Sequence, residues 1–599
     1  MKSSDNEERG TPSWPRIAVV AVLILLPILY FAPALLAGLA LVPGDGLSQN
    51  LGVRVLAGQM LRDGQWPLWN PFILAGAPLL ASVYPGALYP PNWVFALFSP
   101  VTAMNLVVMT TYHLALIGTY LYARKIGANR AGALIGGLAF TFGGYMISHL
   151  GHTSRIAAAA WLPWMLLAIE HLYLRVSWRW IALGAAFIAL QLLAGEPQMN
   201  LYAGLVGAAY CVFTLAGREQ TQPLARWRFA AGVLAMVVCG AMLSMIQLLP
   251  ERELLRMGER AAISYEYFSA ISFPPANLFT FVFPFFFGGS WYPLFRTDYW
   301  GFADMGETCG YFGLLTLLLA LAALVGSVVG AGRQRAMIRF WTGVAVVSLV
   351  LSFGGYLPFG LNHALHGVPV YNLFRALARN LYEFSFSLGM LAALGLTALA
   401  QAGGQIAKRI FKLSALLLGV IVTLTAVAYL FLSRFLIGEN KPALKLNSLA
   451  DAEALLPVGL ALLSVGALWL YVKQKDNGRL TRIPAAFLVA VLFADLMTFS
   501  VALNWHWKDF VSNVNDKLQD PPAVKLIKSR ESDLNSFRIV SHSTQAHGPS
   551  YHRINFPNVS IVRGLQSVNG YDALRLLRQS AISGDMGWDG GIPDDSVFG

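Results

Sequence analysis

A polytopic all-α membrane fold is what this sequence predicts, and three observations carry the prediction. Of 599 residues, 56% are hydrophobic and only 12% are Asp, Glu, Lys or Arg, about half the roughly 25% charge of a soluble domain. Thirteen stretches approach or exceed the apolar length needed to cross hydrocarbon, about 20 residues. The basic residues between those stretches gather in alternate short loops, the asymmetry that orients a chain in a bilayer. A soluble enzyme, a disordered chain and a fibrous protein are excluded by that composition. The 43 Lys and Arg exceed the 31 Asp and Glu by 12. Sorting of that charge to one side accounts for it with no nucleic-acid partner.

The elements follow in order. Residues 1–16 are polar and read as a cytoplasmic tail, so the first span is a retained anchor rather than a cleaved signal. A membrane domain over 17–503 contains spans at 17–42, 101–123, 131–148, 156–174, 180–195, 199–216, 229–249, 311–331, 340–354, 381–401, 414–433, 455–472 and 483–503. The shortest, 180–195 and 340–354, suit half-helices. Alternate turns are basic: Arg124, Lys125 and Arg130; Arg175 and Arg179; Arg218, Arg226 and Arg228; Arg333, Arg335 and Arg339; Lys408, Arg409 and Lys412; Lys473, Lys475, Arg479 and Arg482. These face the cytoplasm.

The other connections, 43–100, 149–155, 195–198, 250–310, 355–380 and 434–454, therefore face outward, and 43–100, 250–310 and 355–380 are long. Irregular backbone does not lie against lipid, so such loops pack on one another or line a cavity. Any chemistry is expected there. Residues 504–599 turn polar, with alternating segments, and predict a small extracytoplasmic C-terminal α/β domain. Three isolated cysteines make neither a disulfide framework nor a metal knuckle.

Asp45 lies just past the first span in a Gly44-Asp45-Gly46 bend. A carboxylate desolvated there is expected to have a raised pKa, which suits it to accept a proton from a hydroxyl nucleophile. The alternative is a plain turn residue, the reading preferred for Asp63.

Several short motifs recur along the chain in a fixed order. Asp45 is followed by Gln49, then by Gly64-x-x-Pro67-x-Trp69-Asn70-Pro71 and Gly76-x-Pro78. Further on stand Gly195-Glu196-Pro197-Gln198, Pro275-Ala276-Asn277, Glu307-Thr308-Cys309-Gly310, Phe374-Arg375-Ala376-Leu377-Ala378-Arg379-Asn380 and Asn569-Gly570-Tyr571-Asp572. Together they resemble the bacterial YfhO-like membrane proteins, which are grouped with the GT-C glycosyltransferases. Two departures are visible: Leu377 stands where that family's arginine motif carries proline, and related chains run on past the Gly-Tyr-Asp segment, so this one looks shortened.

The resemblance implies an enzyme of the plasma membrane that takes a sugar from a polyprenyl-phosphate-linked donor and passes it, with inversion, to a cell-envelope glycan or lipid acceptor. Asp45 matches the family's acidic residue and would be the general base. Arg375 and Arg379, sharing a face if helical, and Arg155 would hold the donor phosphate; as a plain alternative, arginines at helix ends snorkel. Gln49, Trp69, Glu196, His149 and His152 would contact acceptor or sugar. No cofactor is required, although outer-loop acids leave a divalent cation open.

The His149/His152 and His363/His366 pairs have a spacing that permits a shared metal, and interfacial hydrogen bonding is the preferred reading. Asp495, inside the last span, is functional or charge-paired by default. Glu251, Glu253 and Glu259 alternate with Arg252, Arg256 and Arg260 as on a solvated outer-loop helix. A transporter or lipid flippase, and a non-catalytic envelope scaffold, remain as alternatives.

Overall fold

The computed structural model describes residues 16–41, 43, 45–217, 223–258, 263–288, 299, 301–303, 305–435, 452–476, 482–504, 518–540, 558–572, 574–582 and 592. Thirteen apolar helices follow the predicted spans one for one. They are α1 (Arg16–Leu36), α2 (Pro100–Lys125), α3 (Arg130–Ser148), α4 (Thr153–Leu174), α5 (Trp178–Leu193), α6 (Pro197–Ala216), α7 (Pro223–Met257), α8 (Leu314–Val329), α9 (Gly332–Ser352), α10 (Leu381–Gln401), α11 (Gly404–Phe435), α12 (Ala452–Asp476) and α13 (Arg482–Asn504). Among the described residues eleven are long and apolar enough to cross a membrane, and α5 and α8 are shorter. Helix α9, expected to be short, is 21 residues long, because the basic turn before it stays helical. The predicted loop 434–454 falls largely outside the described residues.

Helix α10 is the central post. It is apolar on all sides and buried nearly throughout, as expected of a helix surrounded by others, and it packs on α3, α8 and α9. Small residues permit the close approach to α3: a Cβ added at Gly136 would stand 2.6 Å from the Gly389 carbonyl oxygen. Such small-residue contacts are how helices associate where lipid supplies no hydrophobic drive.

At the basic end the cations are used locally. Arg124 donates to the Ala128 carbonyl (2.6 Å), Arg335 to those of Ser327 and Val328 (2.7 Å each), and Lys475 to those of Leu399 and Ala402. Most of these carbonyls lie at or near helix C-termini, where a cation also meets the negative end of the dipole. Arg333 pairs with the buried Glu170, which also accepts from Tyr210 at 2.6 Å.

At the other end the loop between α1 and α2 folds over the bundle. A π-helical turn (Gly46–Leu51) runs into helix Gly52–Arg62, and a two-residue hairpin pairs Trp69 with Pro78. Asp63 is the C-cap of that helix. The described tail residues, with helices at Pro522–Arg530, Val559–Arg563 and Leu577–Ile582, bond to this loop. The Leu74 and Ala75 amides donate to the carbonyls of Asn569 and Ser567, and Ser82 donates to Asp572 at 2.7 Å.

Asp495 finds its partners here. Its carboxylate accepts from the Tyr311 hydroxyl (2.5 Å) and from the Leu314 amide (2.8 Å) at the start of α8, so it caps one helix from another. Asp495→Ala would leave both donors buried without an acceptor, a loss of about 1–3 kcal/mol. A lower melting temperature in detergent is the expected result; an unchanged one would remove the capping role.

Candidate active site

A cavity of about 190 Å³ opens at the end away from the basic turns. Its walls come from 45–50, 83–84, 152–155, 196–198, 251–255, Tyr267, Glu307, 373–379 and the tail residues Tyr571 and Leu574. Every one of these positions lies in a connection of the predicted outward set or in the tail. None lies in a basic turn. Alternating charge in the sequence and convergence in space thus single out the same end of the bundle.

The acid wall begins at Asp45, the N-cap of the π-helical turn. That wide turn puts Gln49 and Asn50 on the cavity with it; π-turns recur at functional sites. One Asp45 carboxylate oxygen lies 3.2 Å from His152 Nε2. Burial pushes the Asp45 carboxyl up, but the hydrogen bond and charge of His152 and the charge of Arg155 outweigh it and hold the group below its ordinary value. This corrects the expectation of a raised pKa, which considered desolvation without the cations that α4 brings alongside. Asp45 is therefore ionised at neutral pH and is a weak base, fitted to orient a hydroxyl and take its proton late.

A group with a depressed pKa keeps its basic form above that pKa and loses it only as pH falls through it. The Asp45-dependent step should thus show no acid limb above about pH 5, given an ordinary carboxyl near 3.9. A kcat/KM profile with a limb near pH 6 that moves in Asp45→Glu would contradict this.

The opposite wall is built around Glu307, buried between α3, α4 and the segment before α10. Arg379 donates to both of its carboxylate oxygens (2.9 and 2.5 Å) and Arg155 to one (3.2 Å). Burial would lift this carboxyl; Arg379 and Arg155 overcome it and hold Glu307 well below its ordinary value. Arg379 also donates to Gln198 (2.7 Å). Arg155 lies 3.8 Å from Glu196 and keeps its buried Nε without a hydrogen-bond acceptor. Arg375 lies over the Tyr267 ring at 5.0 Å; among the described residues no carboxylate pairs with it.

Of the sequence-predicted residues, Asp45, Gln49, His152, Arg155, Glu196, Arg375 and Arg379 all line the cavity. Four of the predicted residues differ in setting. Arg375 and Arg379 do not share a helix face, because Ala376 at φ +61° breaks the chain before a 3₁₀ turn at Leu377–Asn380. His149 lies behind the wall, fully buried. Burial and the Arg155 charge push it down to about 4, so it is neutral, with Nδ1 donating to the Tyr145 carbonyl at 2.8 Å. Trp69 is half exposed on the hairpin and does not line the cavity.

Glu307, Glu251, Asn50, Gln198 and Tyr571 line the cavity without having been singled out for it. Glu251 belongs to the end of α7, which runs on through Pro250 to Met257 with Arg252, Glu253 and Arg256 exposed, as the solvated helical face predicts; Glu259 and Arg260 lie outside the described residues. His363 stacks on Tyr265 at 3.9 Å, and His366 Nε2 meets the Ile263 carbonyl at 3.2 Å. Among the described residues no three His, Cys, Asp or Glu side chains converge as a metal-ligand group.

No protein-family model matches the chain, and no curated protein matches it in sequence. Solved structures align along much of its length. ArnT from Cupriavidus metallidurans bound to undecaprenyl phosphate aligns at TM-score 0.49 and 13% identity, over 96% of this chain and 89% of that one. The arabinosyltransferase EmbB from Mycobacterium smegmatis aligns at 0.40 and 14%, over 82% and 41%. The apo oligosaccharyltransferase from Archaeoglobus fulgidus aligns at 0.42 and 13%, over 93% and 65%.

Proposed function

We propose that the cavity transfers a glycosyl group from a polyprenyl-phosphate-linked sugar to a hydroxyl of a cell-envelope acceptor, with inversion, on the outer face of the plasma membrane. One observation carries the reading: an ionised carboxylate held by a histidine shares a small cavity at the helix ends with three arginines. Arg375, with Arg155 behind it on the wall, suits the two non-bridging oxygens of a phosphate. Arg379 lies along the same wall, but its charge is matched by Glu307, so it acts as a positioning residue; the sequence reading of Arg379 as a phosphate ligand is revised to that extent. Glu196, Gln49 and Gln198 suit sugar hydroxyls.

The step is a single displacement. The bond between the anomeric carbon and the phosphate oxygen breaks, and polyprenyl phosphate leaves with the electron pair. The acceptor oxygen bonds to that carbon from the opposite side, and its proton goes to Asp45. Water-poor walls strengthen each of these electrostatic contacts. The N-terminus faces the cytoplasm and the tail the outside in this reading, which the described residues of the basic turns support by lying away from the cavity.

The transporter reading needs polar groups threading the bilayer. Asp495 and Glu170, buried in span helices, are instead engaged in capping and pairing, and the buried Glu383 lies in the first turn of α10 rather than along a path across the bilayer. Purified protein incubated with a panel of radiolabelled polyprenyl-phosphate sugars and envelope lipids should move label out of the donor, and Asp45→Ala should not. Label that stays in the donor across the panel, or moves equally in both proteins, would overturn the reading.

A further inference from the structure

Arg54 is 2% exposed and sits on the helix Gly52–Arg62, one turn past the π-helical segment. Its guanidinium meets only neutral groups: it donates to Ser154 Oγ (3.0 Å) and Asn50 Oδ1 (3.4 Å), with Met104 Sδ at 4.0 Å. Its Nε has no acceptor. Among the described residues no carboxylate pairs with it, although Asp45, Glu196, Glu251 and Glu307 all line the neighbouring cavity. Burial draws its pKa down to about 10, which leaves the charge in place at neutral pH. A buried cation without a counter-charge is strongly unfavourable, and such a feature persists where function requires it.

The two groups that hold Arg54 are themselves cavity walls. Asn50 and Ser154 both line the pocket. A guanidinium only donates, so Asn50 must turn its oxygen to Arg54. The same oxygen accepts from Ser154 at 3.2 Å. The Asn50 amide nitrogen then faces the other way, with one hydrogen on the Asp45 carbonyl at 3.4 Å and a second left over. Hydrogen bonds in such a chain polarise one another, so the positive charge behind the wall makes the wall a better donor.

We propose that Arg54 is the hidden counter-charge for the anionic group of the ligand, acting on it through Asn50 and Ser154 without touching it. The inference rests on the phosphate-linked donor proposed above. Arg54 is a positioning residue, and an anion in the pocket offsets the cost of its buried charge.

The test compares a short-chain radiolabelled polyprenyl phosphate with the matching uncharged polyprenol, binding to full-length protein in detergent. Wild type should bind the phosphate more tightly. Arg54→Met should weaken phosphate binding about tenfold, the low end for a charge-assisted hydrogen bond because the charge acts through Asn50, leave polyprenol binding unchanged, and melt no lower than wild type. Arg54→Lys should retain most of the affinity, and Asn50→Asp, which neutralises Arg54 internally, should lose it while melting higher. The last two carry the test should Arg54→Met not accumulate. Equal phosphate binding in wild type and Asn50→Asp or Arg54→Met would overturn the proposal, as would a parallel loss of both lipids. Wild type that fails to distinguish phosphate from alcohol would overturn the donor reading itself.

Discussion

Asp45→Asn is expected to lower sugar transfer about 10²–10⁴-fold, the contribution of a positioned base, with little change in melting temperature. Asparagine keeps the size of the side chain and an oxygen for His152, so the 3.2 Å contact survives. What it loses is the capacity to take a proton. The carboxylate is over a third exposed, at 37%, and its pairing with His152 is worth little to stability at such exposure. Were Asp45 only a bend residue, the variant would fold as well and turn over normally. Single-turnover transfer and thermal unfolding, measured together, separate the two outcomes.

Glu307→Ala should have the larger effect on stability. It leaves the guanidinium groups of Arg379 and Arg155 buried with no carboxylate between them, and breaking a buried ion pair from one side costs about 3–5 kcal/mol. Glu307→Ala/Arg379→Met should recover part of that loss, because the second change removes the stranded charge. The two single effects should therefore fail to add by about 0.5–3 kcal/mol. Strict additivity in a double-mutant cycle, read from unfolding in mixed detergent, would show that Glu307 is not the hub. Since Arg379 and Arg155 hold the Glu307 carboxyl below its ordinary value against burial, its contribution is present above the ordinary carboxylate range and is lost as pH falls through its own lower pKa.

The membrane helices were legible because hydrophobic length is a local signal: each predicted span has its helix, and only the ends moved. Helix α9 started early because Arg333 and Arg335 find partners in Glu170 and the end of α8, which residue composition does not show. The side of the bundle holding the cavity was legible from charge alternation for the same reason. Partnerships were not. Glu307 lies 72 positions from Arg379 and 152 from Arg155, and a glutamate in a Gly-Glu-Thr-Cys-Gly loop carries no mark of what it will meet. The clue was available only as a deficit, since arginines proposed to sit at a poorly hydrated site require a buried acid among them. Glu251 shows the opposite difficulty. Its alternation with Arg252 and Arg256 reads as a solvated face, and those two are exposed, whereas Glu251 itself lines the cavity. Trp69 and His149 belong to the motifs but not to the cavity wall. Both pack nearby, Trp69 with its ring against Gly76 and His149 between Tyr145 and Glu307.

The central claim is that Asp45 and the arginines address one phosphosugar from opposite walls. Single-particle imaging of the protein in nanodiscs with a non-cleavable polyprenyl-phosphonate sugar tests it most directly. The predicted result is density in the cavity with the phosphonate against Arg375 and Arg155 and the anomeric carbon about 3–4 Å from the space in front of Asp45, where a hydroxyl would attack. A cavity that stays empty at saturating lipid, or a sugar lodged at the basic end of the bundle, would contradict it.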